Sequence, residues 1–215
     1  MPPDRLTRVF ELAYEALHRK INGGRIRVEN EASLQLQFAS LLKTLGEVFE
    51  AGRDENFSIE LEKPVTSKGV AFGKSGSERA KVDIYFSYTN VVTNQTTSCA
   101  VELKFFKKKN QREPNNRYDV FTDIHNLENY GSIATQCFMV VATDHDHYIT
   151  QKSYSAATSD FDLRNGKSYV AGEMLTYRTE PPYGPPMSLK GSYQFSWDTT
   201  VGGVHFLRIP IAPHR

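Results

Sequence analysis

The sequence predicts an α/β fold, and three observations support that class. The run Cys137 to Thr143, CFMVVAT, is apolar without interruption, as a strand covered on both faces is. A helical stretch separates this run from an earlier apolar strand at 100–106, and such a strand–helix–strand crossover normally makes a parallel pair. The first 50 residues place their apolar side chains at helical rather than alternating spacing. The length of 215 residues fits one domain, 1–215, in three parts: N-terminal helices over 1–50, a core over 57–143 and a β-rich extension over 167–210.

Composition bounds the function classes. Apolar residues make up 39% of the chain, enough for a core, and the formal net charge is +1. A nearly neutral chain has no global basic field, so nucleic-acid contact must come from local patches. No stretch approaches about 18 consecutive apolar residues, so no membrane span is expected. The start, MPPDRLTRVFELAYEALHRK, is charged throughout and has no apolar signal-peptide core, which points to a cytoplasmic protein. Cys99 and Cys137 each lie in or beside an apolar run and read as reduced core thiols.

In chain order, residues 4–22 form a helix with Leu6, Val9, Phe10, Ala13 and Leu17 on its apolar stripe, ended by Asn22-Gly23-Gly24. A second helix starts at the good N-cap Asn30, carries Leu34, Phe38, Leu41, Leu42 and Leu45 on one face, and is weakened at its end by Gly46. Phe57 to Leu61 alternates as a strand, closed by Lys63-Pro64. Thr66 to Arg79 is a basic, glycine-rich loop that does not satisfy the phosphate-loop spacing. A strand with Val82, Ile84 and Phe86 on one face follows, then a polar turn over Thr89 to Ser98, then a strand with Val101, Leu103 and Phe105 on one face. Pro114-Asn115-Asn116 ends the next loop, and Arg117 to Tyr130 is a helix stopped by Gly131, with Asp119 and Asp123 on its polar face. Asp144-His145-Asp146-His147 reads as a polar turn at a strand end. In the tail, Tyr169 to Leu175, Tyr193 to Trp197 and Val204 to Ile209 read as strands around a stiff proline-rich loop at 181–186. Aromatic residues such as Tyr183, Tyr193 and Trp197 contact bases or a partner, or belong to the core. No GxSxG surrounds the serines at 153–159, so a serine hydrolase is unsupported.

The chemistry concentrates in residues 81–109. Two of the most apolar, β-prone runs of the chain carry acids that a buried strand avoids. Glu102 and Lys104 project from one face, about 6.6 Å apart at the rise of a strand. If the two runs pair through the polar turn, Asp83 comes beside Glu102. Two adjacent buried carboxylates repel, and each is costly alone. A hard divalent cation removes the conflict, since Mg²⁺ takes oxygen ligands and is commonly held by one or two carboxylates. A solvated face with Lys104 as salt-bridge partner is the plainer reading of any one of these residues; the set, on central strands, is not explained that way.

Asp83, eighteen intervening residues, then Glu102-Leu103-Lys104 resembles the active-site signature of the PD-(D/E)XK, or restriction-endonuclease-like, nucleases. The family's proline before the first acid is replaced by Val82. The resemblance covers roughly Glu31 to Thr143. It implies a restriction-endonuclease-like α/β/α core with a central mixed sheet flanked by helices. It also implies a Mg²⁺-dependent enzyme, with Mn²⁺ able to substitute, that hydrolyses phosphodiester bonds in double-stranded DNA, foremost as a restriction-type endonuclease. Asp83, Glu102 and the main-chain carbonyl of Leu103 would hold the metal, and Lys104 would orient water or stabilise charge. Many such proteins carry a supporting glutamate on a helix before the core strands, and Glu31 best resembles it, its other role being to complement the helix dipole. Gln35, one turn further, positions water or metal or is solvated. Lys68, Lys74, Arg79 and Lys81 before the core, and Lys107, Lys108, Lys109 and Arg112 after it, are the expected phosphate contacts. Many members act as dimers, so a homodimer is compatible. Two other classes stay open: a catalytically idle DNA-binding or assembly module of the same fold, and an RNA-directed or defence nuclease.

Overall fold

A computed structural model describes residues 4–66 and 79–214. Two long helices come first, α1 (Arg5–Asn22) and α2 (Glu31–Val48). Strands β1 (Glu55–Thr66), β2 (Arg79–Asn90) and β3 (Thr96–Phe106) follow, then α3 (Glu113–Glu128) and β4 (Gln136–Thr143). The chain continues through a single turn, α4 (His147–Thr150), and the short strands β5 (Ser168–Tyr169), β6 (Tyr193–Gln194) and β7 (Trp197–Asp198), to β8 (His205–Ile211). Among the described residues, one mixed sheet runs in the order β1-β2-β3-β4-β8-β7, and β5 pairs with β6 apart from it. β1, β2 and β3 form an antiparallel meander. β4 returns parallel to β3 after α3, as the crossover requires.

Helices cover both faces of the sheet. Leu6, Phe10, Leu17, Leu34, Phe38 and Leu42 of α1 and α2 pack on Ile84, Val101, Leu103 and Val140, and Phe10 stacks on Phe138 with ring centroids 3.7 Å apart. On the opposite face Val120, Phe121, Ile124 and Leu127 of α3 pack with Ala100, Phe106, Met139 and Val141. Cys99 and Cys137 are free thiols buried in these two cores, and burial pushes both thiol pKa values up.

Several boundaries differ from the sequence reading for physical reasons. β1 runs on through Lys63-Pro64, because β1 is an edge strand and proline is tolerated there. The turn after β2 is tighter than expected, since the ladder reaches Thr89↔Thr96. α3 begins at Glu113, with Pro114 in its first turn, where a missing N–H costs nothing. Gly46 lies in the last turn of α2, two residues before its end. Its missing Cβ makes room for the Phe57 ring, and its carbonyl accepts from Tyr88 OH at 2.8 Å. In the tail only β8 approaches the expected length, and the stretches at 169–175 and 193–197 are mostly irregular.

That irregular tail forms an outer cover on α3. The Arg117 guanidinium donates to Thr158 O, Phe161 O and Thr158 Oγ1 and lies over the Tyr154 ring. The fully buried Glu128 carboxylate accepts from Lys190 N, Gly191 N and Tyr193 OH. α3 is therefore enclosed on nearly every side, which decides the fate of its polar residues.

Candidate active site

β3 alternates as its sequence implies. Cys99, Val101, Leu103 and Phe105 face α1 and α2, while Ala100 and Phe106 belong to the α3-side core. Glu102 and Lys104 therefore project toward α3, both buried. β2 does not alternate so simply. Val82 lies in the α3-side core, but Ile84, Phe86 and Tyr88 lie in the other, so the strand changes phase at Asp83. The expectation that Val82, Ile84 and Phe86 share one face fails there. The cause lies next door in β1. Glu62, the residue across from Asp83 between Leu61↔Ile84 and Lys63↔Val82, has φ 52°, in the left-handed region.

The phase change opens the β2–β3 ladder. Pairing stops at Ile84↔Val101, one step short of setting Asp83 across from Glu102. Main-chain groups left by the opening are taken up by side chains. Leu103 N–H donates to Asp83 Oδ2 at 2.7 Å, and the Gln35 amide donates to Asp83 O at 2.6 Å and to Glu62 Oε1 at 3.2 Å. Gln35 is thus a clamp on the Asp83 backbone rather than a solvated residue.

α2 brings Glu31 to the same place. Asn30 caps the helix, accepting from Ser33 N–H while Ser33 Oγ accepts from Asn30 N–H. Glu31, in the first turn, lies with Oε1 3.7 Å from Lys104 Nζ, and Oε2 makes a long 3.4 Å contact with Phe105 N–H. The strongest partner of Lys104 was not expected: Asp123 of α3, Oδ2 at 3.0 Å, with both side chains buried. Asp123 is no solvated face of α3, because it faces the sheet at Lys104 and lines the cavity there. Lys104 Nζ also donates to Leu103 O at 2.8 Å. Burial opposes the lysine's charge, but Asp123, then Glu31, Asp83 and Glu102, outweigh it and hold its pKa well above the ordinary value. Tyr130, just past α3, turns its hydroxyl to Glu102 Oε1 at 3.4 Å, and burial followed by the carboxylate pushes its pKa up.

These groups line a cavity of about 310 Å³. Its carboxylate oxygens suit a hard cation, and the Leu103 carbonyl lies beside them, bonded to Lys104 Nζ. Among the described residues no group of three or more His, Cys, Asp or Glu side chains is set to hold a metal ion. Glu31 lies within reach of Lys104 at 3.7 Å. Two carboxylates and a carbonyl remain within what Mg²⁺ takes, since it keeps several waters.

The expected phosphate contacts divide. Lys68 and Lys74 lie outside the described residues, as does the side chain of Arg79. Lys81 is exposed at the cavity mouth, 3.8 Å from Glu62. Lys107 is tied to Glu29 at 3.0 Å and lowers that carboxyl's pKa together with Arg27, so it does not belong to the open basic run. Lys108 and Lys109 are exposed in a short 3-10 turn, and Arg112 is exposed beside the Tyr183 hydroxyl at 3.4 Å. Tyr183 also donates to Asp119, whereas Tyr193 and Trp197 are core residues. Asp144 accepts from Lys108 N–H, His145 contacts Glu113, and Asp146 contacts His205.

Of the residues gathered at this cavity, sequence reasoning missed Asp123. Its signal was present but weak: an acid on the helix immediately following an E-x-K strand. No helix among the described residues is long and apolar enough to cross a membrane. Comparison of the chain with family models, curated proteins and solved structures finds no match.

Proposed function

We propose that this chain is a metal-dependent nuclease of the PD-(D/E)XK type, hydrolysing phosphodiester bonds in DNA, and that its sheet and flanking helices are a restriction-endonuclease-like core. The observation that carries this reading is the 2.7 Å bond from Leu103 N–H to Asp83 Oδ2. It draws the acid of one strand onto the main chain of the strand bearing Glu102 and Lys104, at the point where the two strands part. A metal-free sheet gains little from breaking its ladder to gather carboxylates.

Asp83, Glu102 and the Leu103 carbonyl would hold Mg²⁺ or Mn²⁺, which supplies polarisation of the scissile phosphate and a more acidic bound water. The chain's own groups do the positioning. Lys104 presents a permanent ammonium to the non-bridging oxygens and to the attacking water, where negative charge builds up. Asp123 and Glu31 hold that ammonium from two helices. Tyr130 orients Glu102 through Oε1. Lys108, Lys109 and Arg112 supply phosphate contacts outside the cavity. A restriction-type endonuclease is the form the signature resembles most, and double-stranded and single-stranded DNA are its two candidate substrates.

One contact favours a second reading, a catalytically idle DNA-binding member of the fold. Lys104 Nζ donates to Leu103 O, the carbonyl assigned above to the cation. Cleavage of supercoiled plasmid and of single-stranded circular DNA with Mg²⁺, with Mn²⁺ and with EDTA, alongside Lys104→Ala, decides between them. Cutting only with metal, abolished in the variant, supports the nuclease. DNA binding without cutting under any of these conditions supports the idle module.

A further inference from the structure

Glu102 and Lys104, two of the groups assigned to catalysis, are recessed: both are buried below the exposed rim of the cavity. Past Ile84↔Val101, β2 leaves β3, while β1 and β2 stay paired as a two-stranded ribbon through Lys63↔Val82, Pro64↔Lys81 and Val65↔Ala80. The phase change at Asp83 turns this ribbon toward α3: Val82 and Val65 are both buried in the α3-side core. One wall of the cavity is therefore the ribbon, with Glu62, Ala80 and Lys81, and the opposite wall is α3, with Asp123 and Asn126. Lys104 is 9% exposed and Glu102 6% between them, whereas Glu31, Glu62 and Lys81 at the rim are open to solvent.

The volume of about 310 Å³ is at the low end of sites that enclose one small molecule, commonly ~300–1,000 Å³. That is room for roughly one nucleotide unit. Lys104 is recessed below the exposed rim, so a strand must dip past the rim to bring a phosphate to it, and bases stacked and paired in a duplex resist that bend more than an unpaired strand does.

We propose that this site accepts DNA only where the reacting strand is unpaired, as in a flap, an overhang or a gap, and does not accept an intact duplex at the scissile phosphate. The inference rests on the nuclease reading and narrows its substrate. Lys81, exposed at the rim on the ribbon side, is placed to meet a neighbouring phosphate of the same strand.

The test uses the full chain with Mg²⁺ and one end-labelled oligonucleotide in three forms: single-stranded, annealed as a blunt duplex, and annealed with a central unpaired stretch, with Lys104→Ala as the inactive control. The expected result is cleavage confined to unpaired positions, faster than in the blunt duplex by about 30-fold or more. That factor corresponds to ~2 kcal/mol, within the few kcal/mol that unpairing a base costs. Equal cleavage of duplex and single strand, or faster cleavage of the duplex, overturns the substrate inference and leaves the nuclease reading standing. If no form is cut with Mg²⁺ or Mn²⁺, the nuclease reading fails, and fluorescence anisotropy on the same three forms still decides the geometry. Single-strand binding tighter than duplex by about tenfold or more, weakened by Lys81→Glu, supports it; equal or duplex-preferring binding overturns it.

Discussion

Asp123→Asn isolates the charge of the carboxylate that faces Lys104 while nearly conserving its shape. The two groups are 3.0 Å apart, and their side chains are 2% and 11% exposed. At an effective dielectric of ~20, unit charges at that distance attract by about 5.5 kcal/mol, much of which is offset by desolvation. Orphaning one member of a buried pair typically costs ~3–5 kcal/mol. Lys104 keeps the Leu103 carbonyl at 2.8 Å and Glu31 at 3.7 Å, and the new amide oxygen still accepts a hydrogen bond. The loss should therefore fall at about 2–3 kcal/mol. Urea unfolding at neutral pH, followed by the buried Trp197, reads it as a lower midpoint at unchanged slope, about 1 M for a slope near 2–3 kcal/mol/M. A cycle with Lys104→Met and Asp123→Leu should show sub-additive coupling of about 1–3 kcal/mol. A loss below ~0.5 kcal/mol, the range of ordinary surface changes, would refute the claim that this pair organises the site.

Two further expectations concern stability. Gly46→Ala adds up to ~1 kcal/mol of helix propensity, but the new Cβ would lie 2.2 Å from the Phe57 ring, and overpacking costs ~1–3 kcal/mol. Net destabilisation is expected by thermal unfolding, relieved by adding Phe57→Leu, and a stabilised single variant would contradict the packing argument. Acidification should weaken the fold in two stages. Burial foremost holds the His125 and His147 pKa values below the ordinary 6.5, so the unfolded chain takes up protons first, and stability complete above that value is lost as pH falls below it. Arg5 and Arg178 hold Glu55 and Asp160 below their ordinary 4.5 and 3.8, so a second loss begins as pH drops through those values. Urea midpoints that stay flat between about pH 7 and 5 would count against the first stage, and His125→Gln with His147→Gln should remove it.

How much of this site was readable in the chain depended on whether its signals were local. Asp83, Glu102 and Lys104 stood out because charge interrupts two alternating apolar runs, and period two fixes which face each side chain takes. The parallel return of β4 followed from an uninterrupted apolar run behind a helix. Asp123 looks solvated from α3 alone because nothing within the helix reports that this position faces Lys104 of β3 across a buried cavity. Arg117 and Glu128, equally buried, were hidden because residues 158–193 of the tail fold back over them. The tail resists a strand reading because side chains take over much of its main-chain bonding: Tyr169 OH donates to Glu173 O and accepts from Leu189 N–H, and Asp160 accepts from Thr176 N–H. The phase change in β2 had no local signature either. It depends on a left-handed glutamate in the neighbouring strand, where the usual markers, glycine or asparagine, are absent. The chemistry was thus visible wherever charge broke a periodic pattern, while the walls that enclose it, the turned ribbon and the covered helix, arise from contacts between segments far apart in the chain. The proposed preference for an unpaired strand rests on those walls, so under the nuclease reading substrate choice follows from long-range packing rather than from Asp83, Glu102 and Lys104 themselves.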